Sequence, residues 1–134
     1  MRTIVAAVAV LGVALLACKS ETTGTVTVNG APFEVKQCRS GQANTGATFS
    51  GISLFDDKGN QIRFAGKPEG GFRLFHFAPG QPLGTLVGED CGTLVINQTN
   101  TQINGVYNVE GSVSANCTGS GFTIIAALNY AACH

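Results

Sequence analysis

Beyond residue 20, most of the chain alternates between apolar and polar positions with a period of two, the pattern of half-buried β-strands. Residues 24–29 alternate around Val26 and Val28, and residues 33–38 alternate in the same way after an Asn29-Gly30 turn signal. The other segments with strand character are residues 49–55, 61–64, 72–77, 93–96, 106–117 and 122–133. The pattern therefore predicts about eight strands.

These strands are separated by turn signals and not by helical segments, which predicts an all-β domain. We expect an antiparallel β-sandwich or a flattened up-and-down barrel, with a hairpin loop at residues 56–60. The longest loop is expected at residues 79–90, where Pro79 and Pro82 fall among several glycines. Residues 124–132 are the one segment where a short buried helix is an alternative, because alanine fits either structure.

The first residues follow a different pattern, typical of a secretory leader. Met1 and Arg2 precede the apolar residues 3–16, a run of about 14 residues that is shorter than the roughly 20 needed to span a bilayer. Residues 15–18, Leu-Leu-Ala-Cys, resemble the lipobox of bacterial lipoproteins. The resemblance implies cleavage before Cys18, a diacylglycerol on its sulfur, and a lipid-anchored protein. We expect a signal peptide at residues 1–17, a lipidated tether at 18–23 and a single β domain at 24–134.

The five cysteines divide into one for the lipid and four for disulfides. Exported chains occupy an oxidising compartment, so the even number left after Cys18 predicts two disulfides. Zinc is the alternative, but none of these four cysteines lies two to four residues from another, as structural zinc sites require. His134 follows Cys133 directly, and adjacent residues of a strand point to opposite faces. We therefore expect no metal.

Turn positions restrict the pairing of the four cysteines. A two-residue turn at residues 104–105 would put Cys117 opposite Gly92, next to Cys91. A turn at residues 119–120 would put Cys133 beside Val106, roughly 30 Å along the ladder from Cys117. Bridged Cα atoms lie about 4.4 to 6.8 Å apart, so those two cysteines cannot pair. The expected disulfides are Cys38–Cys133 and Cys91–Cys117.

Charge argues against nucleic acid as a partner. Without Arg2, seven of the eight basic residues remain, against eight acidic ones. The distribution is uneven, because every Lys and Arg precedes residue 74 and the only carboxylate side chain in residues 91–134 is Glu110. The exposed surface of that half must be neutral. We interpret it as a solvated sheet face or as a surface for a carbohydrate or another protein.

Candidate chemistry is sparse. The chain contains no Gly-x-Ser-x-Gly, no His-Glu-x-x-His, no phosphate loop and no dinucleotide fingerprint, so we expect no enzyme and no cofactor. His76 alternates with Phe72 and Leu74, which favours a packing residue over a catalyst. A turn is favoured over a calcium site for Asp56, Asp57 and Asn60, which surround Gly59.

The strand at residues 72–77 is a further candidate binding region. Arg63, Arg73 and Arg39 are expected to cluster near its aromatic side chains, which would suit an anion or a sugar. The candidate binding residues are therefore Arg63, Arg73 and His76.

The lipobox, the Cys-Gly-Thr-Leu sequence at 91–94, Asn-Val-Glu-Gly-Ser at 108–112 and the final Cys-His together resemble small lipoproteins of myxobacterial type. The resemblance implies an outer-membrane location, facing the periplasm or the surface, since Lys19 and not aspartate follows Cys18. It implies no particular activity. In size and architecture the chain is also similar to periplasmic lysozyme inhibitors.

From these observations we expect a lipid-anchored, non-enzymatic binding or structural module of the cell envelope with a protein or glycan partner. The alternatives are an inhibitor that inserts residues 79–90 into a cell-wall hydrolase, and then a small envelope enzyme.

Overall fold

A computed structural model describes residues 20–44 and 47–134, and in these residues ten β-strands form two antiparallel sheets. The predicted signal peptide and Cys18 lie outside the described residues. A short 3₁₀ turn, Gly41–Ala43, follows the third strand. The strands are β1 Glu21–Val28, β2 Ala31–Pro32, β3 Gln37–Ser40, β4 Gly51–Phe55, β5 Gln61–Gly66, β6 Phe72–Phe77, β7 Thr85–Glu89, β8 Gly92–Ile103, β9 Val106–Gly119 and β10 Phe122–Cys133.

The two sheets stack as a β-sandwich. Sheet I has the strand order β2-β1-β10-β9-β8, and sheet II has the order β3-β4-β5-β6-β7. The first described strand belongs to sheet I. The chain then crosses to build all of sheet II and returns to complete sheet I with its three longest strands. The prediction of an all-β antiparallel domain is confirmed, and of the two expected architectures the structure has the sandwich. Residues 124–132 belong to strand β10, so the helical alternative is wrong.

The core lies between the sheets and follows the alternation that the sequence predicts. On sheet II, Ile52 and Leu54 of β4 are fully buried, as are their neighbours across the ladder, Ile62 and Phe64 of β5. From sheet I, Ile124 and Val113 meet them. Each successive residue points to the opposite face of a strand, so fixing this core also fixes which side chains point outward.

Two strand boundaries near the start of the domain differ from the prediction. Strand β1 begins at Glu21, so residues 21–23 of the predicted tether are paired with the end of β10. Polar Thr22 and Thr23 carry no hydrophobic signal that would reveal this pairing. Residues 33–36, predicted as strand, instead form the crossing between the sheets: Phe33 N donates to Val26 O at 2.8 Å, and Lys36 N donates to Phe55 O at 2.8 Å.

The predicted long loop at 79–90 is also shorter than expected. Strand β7 occupies Thr85–Glu89 and pairs with β6, where an irregularity near Val87 shifts the register. Val87 is the only apolar residue of this strand that reaches the core, so the strand shows almost no alternation. The loop that remains is residues 78–84.

The structure contains the two expected disulfides. Cys38–Cys133 joins β3 of sheet II to β10 of sheet I, with Cα atoms 4.9 Å apart, and Cys91–Cys117 joins the corner before β8 to β9, with Cα atoms 5.3 Å apart. The expected ladder positions of these cysteines were wrong, however. Ala115 and not Cys117 lies opposite Gly92, and Cys133 lies opposite Val109 and not Val106.

These shifts have local causes. An irregularity between Gln98 and Gln102 moves the β8–β9 register by two residues. The β9–β10 turn is centred on Ser120 and Gly121, and a further irregularity precedes Cys133.

Candidate functional site: the outer face of sheet II

The outward face of sheet II is rich in phenylalanine. Strands β4, β5 and β6 place their odd-numbered residues outward, because the even-numbered ones fill the core. This puts Phe55, Phe75 and Phe77 on the side of the sheet that faces away from sheet I. Phe49, just before β4, joins them. Outward aromatic side chains beyond what the core needs are typical of binding surfaces.

Arg63 of β5 lies between two of these rings. Its guanidinium carbon is 4.6 Å from the centroid of the Phe49 ring and 4.6 Å from that of the Phe77 ring. Cation–π contacts of this kind stabilise a charged side chain by about 0.5 to 2 kcal/mol each. The two rings therefore stabilise the Arg63 guanidinium at this position. Burial lowers the pKa of Arg63, but arginine remains charged at neutral pH.

Arg63 is not neutralised by its surroundings. The Nε–H group is buried and has no hydrogen-bond partner among the residues that the structure describes. None of the ion pairs between described residues includes Arg63 or Arg39. A partly buried cation without a counter-ion has lost hydration without a charge to compensate, so it favours the approach of an anion.

A pocket of about 140 Å³ lies beside this arginine. Arg39 of β3 pairs with Ser53 of β4, and Ser53 pairs with Arg63, so the two arginines lie on one row of the sheet with a small residue between them. Phe49 and Phe55 supply apolar walls. We call this pocket, whose lining includes Arg39, Phe49, Ser53, Phe55, Gln61 and Arg63, the arginine pocket.

The three residues expected to bind together are separated in the structure. Arg63 lines the arginine pocket. Arg73 lies on the same outer face but pairs with Glu89 of β7 through Nε and Oε1, which are 2.5 Å apart, and this pairing raises the pKa of Arg73. His76 points the other way, into the core. Arg39, which the sequence placed in the same cluster, joins Arg63.

His76 is a packing residue in the structure. Its ring stacks on Phe122 of β10, with the centroids 4.3 Å apart and the planes at 27°. Burial lowers its pKa, and the charge of Asp56 opposes that shift. His134, beside the Cys38–Cys133 disulfide, has Nδ1 2.8 Å from the carbonyl oxygen of Ala132. In residues 20–44 and 47–134, no group of three or more His, Cys, Asp or Glu side chains could hold a metal ion.

Asp56 closes the β4–β5 turn. Its Oδ1 accepts the backbone N–H groups of Lys58 and Asn60, at 2.9 and 2.8 Å, and its Oδ2 accepts Asn60 Nδ2 at 2.9 Å. Burial alone would raise the pKa of Asp56, but the hydrogen bonds from Asn60 and the neighbouring backbone lower it. The carboxylate is occupied by its own turn, as the favoured interpretation of this loop predicted.

The outer face of sheet I differs from that of sheet II. Its outward residues from β1, β9 and β10 are mostly Thr, Ser, Asn and Ala, together with Ile125, which is 45% exposed. The exposed surface after residue 91 is thus neutral and polar, as composition predicted. The exposed charges and the outward aromatic rings are concentrated on sheet II.

The sequence pattern predicted the arginines of the pocket but not the other residues that line it. Phe49, Ser53 and Phe55 were assigned only to a strand. The available signal was in residues 72–77, Phe-Arg-Leu-Phe-His-Phe, because a strand with large apolar residues on both faces must present some of them outward.

No helix in the described part of the chain has the length and apolar character required to cross a membrane. In comparisons with known proteins, no family model, no curated protein and no solved structure matches this chain.

Proposed function

We propose that this protein is a non-enzymatic binding module of the bacterial cell envelope, anchored to the outer membrane by lipid on Cys18, which holds a partner on the outer face of sheet II. The observation that carries the proposal is Arg63, fixed between Phe49 and Phe77 beside a pocket and without an acidic partner among the described residues. Aromatic and arginine side chains that are held rigidly are the residues that most often dominate binding energy.

The proposed anchor would restrict how the module faces the membrane. Only Lys19 separates Cys18 from Ser20, whose hydroxyl accepts the Cys38 backbone N–H at 3.0 Å. A lipid on Cys18 would therefore hold the start of β1 and the Cys38–Cys133 disulfide close to the bilayer. The remainder of sheet II would extend toward a partner in the periplasm or outside the cell.

Binding by the outer face of sheet II can be tested by co-sedimentation. The full chain, purified in nonionic detergent, is mixed with peptidoglycan sacculi and with outer-membrane fractions of the native cell. Phe75 and Leu86 lie opposite each other on the outer face of sheet II, and Leu86 is 43% exposed. The double variant Phe75→Ser with Leu86→Ser should reduce binding about tenfold or more. The matched control, Ile125→Ser on the outer face of sheet I, should bind normally. The reverse result, or the absence of binding to any fraction, would contradict the proposal.

A second candidate function, inhibition of a cell-wall hydrolase, rests on the loop at residues 78–84. Leu83 in this loop is 84% exposed, and Gln81 N donates to Ala78 O at 3.1 Å to form a turn. An exposed leucine on a turn of this kind could insert its side chain into the cleft of an enzyme. Inhibition of lysozyme by the full chain that is lost in Leu83→Ser would establish this function. Unchanged lysozyme activity with excess protein would exclude this enzyme as a target.

A further inference from the structure

We propose that the arginine pocket binds a carboxylate carried by a sugar ring, so that the ligand class of this module is an acidic saccharide of the uronic-acid type. The inference rests on the proposed function, because it names the ligand of the same face.

The guanidinium of Arg63 favours a carboxylate as the ligand. The rings of Phe49 and Phe77 each lie 4.6 Å from its guanidinium carbon and offer no hydrogen-bond acceptor, so the N–H groups of Arg63 remain available to an anionic ligand. A carboxylate accepts two parallel N–H groups in the guanidinium plane, the bidentate arrangement that arginine favours.

The charge of the pocket also favours an anionic ligand. Arg39 and Arg63 sit on either side of Ser53 in one row, and no Asp or Glu is among the described residues that line the pocket. Asp56, which follows Phe55 in the chain, is bound by its own turn, and Glu89 pairs with Arg73. An anion entering here would meet two cations and no competing carboxylate. Its attraction would be strong because the site is partly shielded from water.

The remaining lining points to a sugar ring as the carrier of the carboxylate. Half-buried Phe49 and Phe55 offer apolar surface of the kind that packs against the C–H face of a pyranose ring. Ser53 Oγ accepts a hydrogen bond from Gln61 Nε2 at 3.0 Å and donates to none of the described residues, so its hydroxyl hydrogen could donate to a ligand. A volume of about 140 Å³ admits one such group and not a long chain.

The test compares two polymers that share one backbone. The full chain in nonionic detergent is titrated with polygalacturonate and with its fully methyl-esterified form, in which each carboxylate is neutral. Poly-glutamate supplies the same charge without a sugar, and dextran sulfate supplies a sugar with a different anion. We expect polygalacturonate to bind at least about tenfold more tightly than each of the other three, as the loss of one charge-assisted bidentate contact implies.

The variants are Arg63→Gln, Arg39→Gln and, as the matched control, Arg73→Gln, which lies on the same face outside the pocket. Arg63→Gln should weaken binding about tenfold or more and Arg39→Gln several-fold, while Arg73→Gln should stay within about twofold of wild type. Arg39 is exposed, so its variant keeps the test valid even if Arg63→Gln disturbs packing between the rings. Thermal unfolding of each variant checks the fold.

Three results would overturn the inference: equal binding of the esterified polymer, equal or tighter binding of poly-glutamate or dextran sulfate, or unchanged binding by folded Arg39→Gln and Arg63→Gln. A further result distinguishes failure of this inference from failure of the proposed function. If native envelope fractions still bind both arginine variants but not the Phe75→Ser with Leu86→Ser variant, the acidic-sugar inference fails and the binding face stands.

Discussion

The Tyr130 hydroxyl on β10 donates a hydrogen bond to the backbone carbonyl of Val95 on β8 at 2.5 Å, although β9 lies between these two strands. Gly111 of β9 makes this possible. It pairs with Tyr130 across the ladder, and a Cβ atom there would lie 2.9 Å from Tyr130 Oη and collide with the Val95 carbonyl oxygen. Burial raises the pKa of Tyr130, so the hydroxyl remains a donor at neutral pH. The edge strand β8 is thereby tied to the middle of sheet I.

Removing this tie should destabilise the domain measurably. Tyr130→Phe deletes the donor and leaves the Val95 carbonyl without this partner, so we expect a loss of about 1 to 2 kcal/mol in the free energy of unfolding. Gly111→Ala should cost more, about 3 kcal/mol, because the added methyl group meets backbone and cannot be accommodated by a rotamer change. Urea unfolding followed by circular dichroism measures both.

Tyr107→Phe is the matched control, because the Tyr107 hydroxyl makes no hydrogen bond with any described residue and its removal should change stability by less than about 0.5 kcal/mol. If Tyr130→Phe were as stable as this control, the hydrogen bond would contribute nothing to the fold.

The two disulfides should differ in their contribution to stability. The Cys38–Cys133 bridge spans 95 residues of sequence and the Cys91–Cys117 bridge spans 26. By the entropy of loop closure, replacing both cysteines of the longer bridge by alanine should cost about 4.7 kcal/mol and of the shorter about 3.5 kcal/mol. Equal costs, or a larger cost for the shorter bridge, would show that packing and not chain entropy decides the difference.

The pairing itself is checked by non-reducing peptide mapping. The peptide that contains Cys38 should be joined to the one that contains Cys133. A link between Cys117 and Cys133 would contradict both the pairing and the long β9–β10 hairpin.

The alternation of apolar residues was enough to predict the sandwich, because burying one face of each strand leaves few arrangements. The alternation could not predict the register, that is, which residues of neighbouring strands lie opposite each other. Thr99 Oγ1 donates to Asn108 O at 3.2 Å, and Asn108 Nδ2 donates to Thr101 Oγ1 at 2.7 Å, and these bonds accompany the shift of the β8–β9 ladder by two residues. The disulfide prediction was correct despite the wrong register, because Cys91 lies before strand β8. Asn116 N donates to Cys91 O at 2.9 Å, which keeps Cys91 close to Cys117.

The candidate site was predictable only in part. Alternation shows that Arg39 and Arg63 point away from the core, but their proximity depends on β3 pairing with β4 and β4 with β5. The predicted strand at 33–38 ended just before Arg39. The structure does not group Arg63 with Arg73 and His76. The side chain of His76 points toward the core, like that of Leu74 two residues before it. Arg73 lies opposite Glu89 on β7, a strand whose sequence shows little alternation.

The lipid anchor can be tested without any knowledge of a partner. If Cys18 carries the diacylglycerol, Cys18→Ser should leave an unprocessed precursor and abolish labelling by radioactive palmitate, because only a thiol at the cleavage point can take the lipid. Cys91→Ala with Cys117→Ala is the control for the loss of cysteine as such and should remain labelled. Labelled Cys18→Ser protein would refute the anchor.

The stability of the domain should also fall on mild acidification because of His76. The burial of its ring against Phe122 lowers the pKa below the ordinary value of about 6.5 that we expect in the unfolded chain. Between those two pKa values the unfolded chain binds a proton that the folded chain excludes, so the free energy of unfolding should be constant above about pH 6.5 and decrease below it. His76→Phe keeps an aromatic ring over Phe122 and removes the titrating group, so its free energy of unfolding should stay constant down to the range where carboxylates titrate.

Urea unfolding at intervals from pH 7.5 to 5 compares the two proteins. The NMR signal of the His76 ring, assigned by its absence in the variant, gives the folded pKa directly, and a value above 6.5 would reverse the predicted slope and refute the buried, neutral histidine.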